Sequence, residues 1–413
     1  DGAVAVTVKP RRGFASAVVR PLSAGVKPTV RDGVISFTLP KPGFYVCEVD
    51  GTEKALQLFY EAPREFAEKD RATVSFGPGM HMAGIVRLKD HDRVYVDRDA
   101  IVFGCLMGSG VRDVKIFGHG VIDGRSVERV FEGCYSELQP SCIRLHHSRD
   151  IVVDGPILMD SPSWVLALFA CEDVDIRHVK IVGQWRYNTD GIDLHNCRHG
   201  RIRDCFARCF DDVYCFKAHL DPGTDCEDLV FENCVAWADW GKCLEVGVEC
   251  RANHLRRLRF VNCDCIRGCG TILDVENVDW GEVSDVAFED IRVELDDPLP
   301  PCRLQTSDED RFRVPEVQSE GPLLFGGSIR FHHEYSVEKG GRFMGAGRID
   351  GVVLRNVDVL AKYPVRSLAK GFGKGNEVRG IVFDNVTVNG RRVREPKDLG
   401  FMRGPFSDMP QVK

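Results

Sequence analysis

Three aspartates have the types and spacing to do acid–base chemistry: Asp190, in Asn188-Thr189-Asp190-Gly191, and the adjacent pair Asp211 and Asp212, which follows 21 residues later. Carboxyl groups gathered closely cannot all ionise freely, so at least one keeps its proton at neutral pH while a neighbour stays charged. That is a general acid beside a general base, the pair that cleavage of a glycosidic bond requires. Isolated Asp-Asp pairs more often decorate solvated turns. The chemical reading therefore depends on elements that bring residue 190 against residues 211 and 212.

Such elements are written along the chain as a recurring phrase. Val174-Asp175-Ile176-Arg177-His178-Val179, Leu229-Val230-Phe231-Glu232-Asn233-Cys234, Leu258-Arg259-Phe260-Val261-Asn262-Cys263 and Val286-Ala287-Phe288-Glu289-Asp290-Ile291 each place apolar residues two apart, then Asn, Asp or His, then another apolar residue. The middle apolar positions 176, 202, 231, 260 and 288 are 26, 29, 29 and 28 residues apart. A period of that size is the mark of a solenoid, and the period-two alternation inside each phrase selects strands, stacked about 4.8 Å apart. The Leu-x-x-Leu-x-Leu consensus of leucine-rich repeats is missing. The fold class expected is all-β: a right-handed parallel β-helix over residues 71–413, preceded by a small N-terminal β-sandwich over residues 1–70, where short alternating runs are punctuated by Pro and Gly. Asn233, Asn262, Asp290, Asn356 and Asn385 are expected at one corner of successive coils, bonding turn backbone. The period lapses between 295 and 349, which predicts a long loop on one coil.

A second strand per coil aligns as Asp190-Gly191-Ile192-Asp193-Leu194, Asp211-Asp212-Val213-Tyr214-Cys215 and Gly241-Lys242-Cys243-Leu244-Glu245. This alignment stacks Asp190 on Asp211, with Asp212 beside them. Lys217 follows on the same strand as a candidate substrate contact, and Trp185 and Tyr187 could offer a platform for a sugar ring.

Composition narrows the function classes. Hydrophobic residues make up 43% and charged residues 28%, with a net charge of −7. No basic footprint for nucleic acid is present, and no apolar run is long enough to span a membrane. Seventeen cysteines, many placed one per repeat, read as buried free thiols and point to a reducing, cytoplasmic setting, with secretion after loss of a leader as the alternative. Cys263, Cys265 and Cys269 lack the second ligand doublet of a zinc site. The composition leaves the oligomeric state open.

The residues from Asn188 to Lys217, within a β-coil repeat, resemble the signature of glycoside hydrolase family 28, the polygalacturonase family. Val114 to Gly124 and Ser161-Pro162-Ser163-Trp164 look like the early coils of that family. The resemblance implies an inverting hydrolase with no metal or organic cofactor, in which Asp211 protonates the leaving oxygen while Asp190 and Asp212 orient the attacking water. Two departures bear on the substrate. Lys242 stands where the family has the histidine of Gly-His-Gly, and Ile272-Leu273-Asp274 stands near its Arg-Ile-Lys clamp for the galacturonate carboxylate. With Glu245 and Asp274 near the site, and Asn188, Lys217 and Lys242 as further contacts, a neutral poly- or oligosaccharide is expected. Polygalacturonase proper, with a clamp from Arg303 or Arg330, and a lyase or fructotransferase on the same scaffold are the alternatives. The N-terminal segment is similar to the leading domain of glycoside hydrolase family 49, dextranases and isopullulanases that share the β-helix and act on neutral glucans.

Overall fold

The structure is a computed structural model that describes residues 2–53, 55–130, 136–219, 224–296, 322–330 and 345–413. The chain divides into two compact units, Asp1–Ala67 and Glu68–Lys413. The first is a small β-sandwich. One antiparallel sheet pairs Val34–Leu39 with Val4–Val8 and Thr29–Arg31, and a second pairs Gly43–Val49 with Ala17–Arg20 and Leu56–Tyr60. Alternate residues of both sheets (Val19, Ile35, Phe37, Leu39, Tyr45 and Cys47) form one shared core.

The second unit is a right-handed parallel β-helix with three strands per typical coil. One sheet of twelve parallel strands runs from Val74–Phe76 to Gln411–Val412. Its inward positions stack Ile176, Ile202, Phe231, Phe260, Phe288, Leu354 and Phe383 in register, the middle positions of the repeated phrase. The rings of Phe231, Phe260 and Phe288 lie 5.6 and 5.1 Å apart and nearly coplanar in orientation. Burying each phenylalanine contributes roughly 1.5–3 kcal/mol, and like residues stacked on like keep that gain at every coil. Among the described residues, no helix is long and apolar enough to cross a membrane.

The corner residues do more than bond backbone. Asp204, Asn233, Asn262, Asp290, Asn356 and Asn385 all have φ between 53° and 56°, the left-handed region that Asn and Asp tolerate. Their side chains also bond one another: Asn262 donates to Asn233 at 3.3 Å, Asn356 to Asp290 at 2.9 Å and Asn385 to Asn356 at 2.9 Å. Turn backbone, the expected partner, gives way to an amide ladder because each corner sits directly over the last. Just after it, Cys205, Cys234 and Cys263 are buried with free thiols, each directed at the carbonyl two residues earlier at 3.2–3.3 Å. All fifteen described cysteines are free.

The lapse in period between 295 and 349 is only partly a departure from the helix. Phe325–Ile329 is a regular strand, in register with Leu273–Asn277 and Ser367–Lys370. Residues 297–321 and 331–344, including Arg303, lie outside the described residues.

Candidate active site

A second sheet stacks Leu166–Phe169, Ile192–His195, Tyr214–Ala218, Leu244–Cys250 and Leu273–Asn277. All three aspartates lie in the turns that lead into it. The register pairs Ile192 with Tyr214, so Asp190 stacks on Asp212, and the expected stacking of Asp190 on Asp211 is off by one residue. Tyr214 points into the core with its hydroxyl donating to Val235 O at 3.0 Å, and Val213, the residue aligned with Ile192 in the sequence, is buried in the same core just before it. Asp211 therefore lies one residue before the column, its Oδ1 accepting the Asp212 amide at 3.1 Å.

One ammonium ties the column together. Lys217, only 3% exposed, places Nζ 2.8 Å from Asp190 Oδ2, 3.3 Å from Asp212 Oδ2 and 3.5 Å from Asp193 Oδ1. Lys242 completes the surroundings of Asp212, with its amide donating to Oδ1 at 3.0 Å and its Nζ 3.7 Å from the same oxygen. That Nζ also lies 2.9 Å from Glu245 Oε1. Lys242, which stands where the resembled family has a histidine, thus serves Asp212. Glu245 stacks on Cys215 below and Asp274 above. Asp274 is buried, with Oδ2 lacking a hydrogen-bond partner. Asn188 is also engaged, its Oδ1 accepting from Arg129 at 2.9 Å. Tyr187 lies under the Arg129 guanidinium, and Trp185 donates to Asp160 at 2.8 Å.

Burial and these partners separate the three acids. Burial drives Asp211 well above the usual carboxylate range, and the charges of Asp190 and Asp212 push it further, so it keeps its proton. Asp190 is also raised by burial, but Lys217 limits the rise to about 6. Burial would raise Asp212 too; Lys242 and Lys217 outweigh it and hold this carboxylate below its ordinary value. Asp274 is pushed up to about 8 by burial and by Glu276. The result is a protonated carboxyl bonded through its neighbour's amide to an ionised one.

Sequence reasoning missed Asp193, Trp164 and Arg129. Asp193 is fully buried against Lys217, and Trp164, one coil before Asp190, lies 5.4 Å from the Lys217 ammonium. The signal for Asp193 was its alternation with Ile192 and Leu194, which puts it on the same outward face as Lys217. Asp190, Asp193 and Cys215, and likewise Asp212, Cys215 and Glu245, offer ligand atoms within 4.8 Å of one another. The Lys217 ammonium already fills the charge-balancing role for Asp190, Asp193 and Asp212, and Lys242 does so for Glu245.

Residues 73–227 match the sequence profile described as Glycosyl hydrolases family 28. Over those residues the β-helix is similar to that family. A probable polygalacturonase of Vitis vinifera is 27% identical over 191 residues, covering 45% of this chain and 34% of that protein. A polygalacturonase of Chamaecyparis obtusa is 26% identical over 168 residues, covering 36% of this chain and 31% of that protein. The chain thus spans about a third of the length of the curated relatives it matches. Among solved structures, Dex49A from Penicillium minioluteum superposes over 100% of this chain and 82% of its own, with a TM-score of 0.65 at 13% identity. The exopolygalacturonase of Thermotoga maritima superposes over 82% of this chain and 83% of its own, with a TM-score of 0.51 at 17% identity. At those identities the likeness speaks for the fold, and the family 28-type profile covers the segment that carries Asp190, Asp211, Asp212 and Lys217.

Proposed function

We propose that the protein is an inverting glycoside hydrolase acting on a neutral poly- or oligosaccharide. The observation that carries this reading is the placing of two neighbouring carboxyls: Asp212 lies 3.3 and 3.7 Å from the ammoniums of Lys217 and Lys242, which hold it low, while Asp211, buried beside it with no ammonium paired to it among the described residues, is raised. Asp211 gives its proton to the glycosidic oxygen as the bond to the anomeric carbon breaks. A water attacks that carbon from the opposite face, and Asp212, aided by Asp190, takes the proton the water loses. No metal or organic cofactor enters this scheme. The free thiols of the described cysteines support a reducing, cytoplasmic setting.

The preference for a neutral sugar rests on how the cations are used. Lys217 and Lys242 are held by Asp190, Asp212 and Glu245, and Arg330 is paired with Glu276. A uronate clamp needs a cation whose partner is the substrate; each of these three already has a protein carboxylate. The names of the curated relatives favour galacturonan as the second reading.

The test is a glycan panel that includes polygalacturonate and neutral glucans, run with the parent protein and with Asp211→Asn. Turnover should appear on a neutral glycan, with the inverted anomer first in proton NMR. The substitution should lower turnover on the order of 10³-fold or more at unchanged melting temperature. Robust hydrolysis of polygalacturonate would replace the neutral-sugar reading with the galacturonan one, and a retained anomer or near-normal Asp211→Asn turnover would end the assigned roles.

A further inference from the structure

We infer that Trp240 is the sugar-stacking platform of this site, backed by Phe210 and set beside the acid pair. The inference rests on the glycosidase reading and adds a residue that nothing in the sequence motifs pointed to.

Register places these two aromatics. Phe210 immediately precedes Asp211, and Trp240 occupies the matching place one coil on, immediately before Gly241 and Lys242. Their rings are stacked with centroids 5.8 Å apart and planes 22° from parallel. Phe210 is 4% exposed and Trp240 40%, so the pair buries one ring and leaves much of the other open. Two residues further on, Lys242 contacts Asp212 through both its amide and its ammonium. An indole left open this close to an acid–base pair provides a flat apolar surface with a polar edge, the form that suits the C–H face of a pyranose while its hydroxyls stay free to bond.

The turn that carries Trp240 is held on both sides. Asp239 accepts from the Trp237 indole at 2.9 Å and from Arg208 at 3.0 and 3.2 Å, and the Arg208 guanidinium lies 4.1 Å from the Trp237 ring centre. The Asp239 amide donates to Cys209 O at 3.0 Å, and the Gly241 amide to Phe210 O at 3.3 Å. Above, Gly270 packs so closely that a β-carbon there would lie 2.6 Å from Gly241 O and 3.4 Å from Trp240 O. A platform fixed in this way loses little side-chain freedom when a sugar settles on it, which favours binding. Trp185 is equally exposed, but its indole nitrogen is committed to Asp160 and the Arg186 guanidinium lies 5.0 Å over its ring. That leaves Trp240 as the better placed of the two.

The experiment measures binding apart from turnover. In the Asp211→Asn background, isothermal titration with maltotetraose, isomaltotetraose and tetragalacturonate is compared with and without Trp240→Ala and Trp240→Phe. In the parent background, kcat and KM are measured on whichever glycan is cleaved. Trp240→Ala should weaken binding of a neutral tetrasaccharide and raise KM about tenfold, with kcat changed less than about twofold and Trp240→Phe retaining most of the affinity. Binding lost in Trp240→Ala while the parent cleaves no glycan would uphold the platform and end the glycosidase reading. Unchanged affinity in Trp240→Ala, a loss confined to kcat, or no saturable binding of either neutral tetrasaccharide would overturn the platform.

Discussion

Two columns of polar residues climb this β-helix, and they use the same stacking for opposite ends. At the corner, Asp204, Asn233 and Asn262 stack with their side chains bonded to one another, and Asp290, Asn356 and Asn385 do the same across the long insertion. In the site sheet, Asp190, Asp212 and Lys242 stack with equal regularity, yet Asp190 Oδ1, Asp193 Oδ2 and Asp274 Oδ2 are buried without a hydrogen-bond partner. Neutral amides satisfy each other when repeated, whereas buried acids of one sign do not and must be neutralised by cations or protons. The corner spends its polar groups on stability, and the site keeps its polar groups reactive.

The largest effect that would test this contrast is expected at Lys217. Removing the one ammonium shared by Asp190, Asp193 and Asp212 leaves buried carboxylates uncompensated, so Lys217→Met should lower stability at neutral pH by roughly 3–5 kcal/mol in denaturant unfolding. The loss should shrink as pH falls, and because Asp190 without Lys217 rises above its value of about 6, the shrinkage should begin above pH 6, where the stranded acids take up protons. A Lys217→Met protein as stable as its parent at pH 8 would break the contrast, because the site would then be no more strained than the corner.

A smaller effect is expected from Asp274, whose folded value of about 8 lies above the ordinary carboxylate value of 3.8. A raised carboxyl favours the folded state fully below its unfolded value, and that advantage is lost as pH rises through its folded value. Between pH 6.5 and 9 the melting temperature should therefore fall, and Asp274→Asn should flatten the fall. The histidines His146, His195 and His219, all lowered chiefly by burial, are neutral when folded and titrate near 6.5 only when unfolded; parent and variant share that contribution, so it cancels in their difference. A difference trace between parent and Asp274→Asn that stays level from pH 6.5 to 9 would remove Asp274 from the charge-strained set.

The smallest effect belongs to the ladder. Asn262→Ala gives up exposed side-chain bonds to Asn233 and Arg292 and puts a residue with less tolerance of the left-handed region at φ 53°, so a loss of about 1–2 kcal/mol is expected. Asn262→Gly keeps the backbone comfortable and isolates the two side-chain bonds, for which about 0.5–1 kcal/mol is expected. Equal losses for the two variants would mean that the side-chain bonds, with no contribution from the left-handed corner, are what the ladder supplies, and no loss in Asn262→Gly would leave the corner alone.

Much of this was legible in the sequence, and the one clear misreading has a physical cause. The solenoid could be read because its inward positions repeat as Ile, Phe and Leu, which only a stacked core rewards. The sandwich could be read because its strands alternate cleanly. The acid column could be read only to within one residue. Asp-Gly-Ile-Asp-Leu and Asp-Asp-Val-Tyr-Cys can be aligned in two ways, and a one-residue slip exchanges the two faces of a strand. Val213 and Tyr214 both enter the core, and the acceptor of the tyrosine hydroxyl, Val235 O, lies 21 residues on and is invisible in the local sequence. The uses of Lys242 and Asn188 were hidden for the same reason, since their partners, Asp212 and Arg129, come from elsewhere in the chain.

Gly241 shows how narrow the route to this site is. A β-carbon at that position would lie 2.4 Å from the Asp211 carbonyl carbon and the Asp212 nitrogen, and 2.6 Å from Asp212 Oδ1. Even alanine would have to displace the peptide that joins the acid to the base. The site can therefore be silenced by a change that touches no ionisable group, and in a lineage of such chains this glycine would be a more telling mark of a working copy than any one aspartate. A descendant that retains all three acids but carries a side chain here would be expected to have turned from cleaving a sugar to merely holding one.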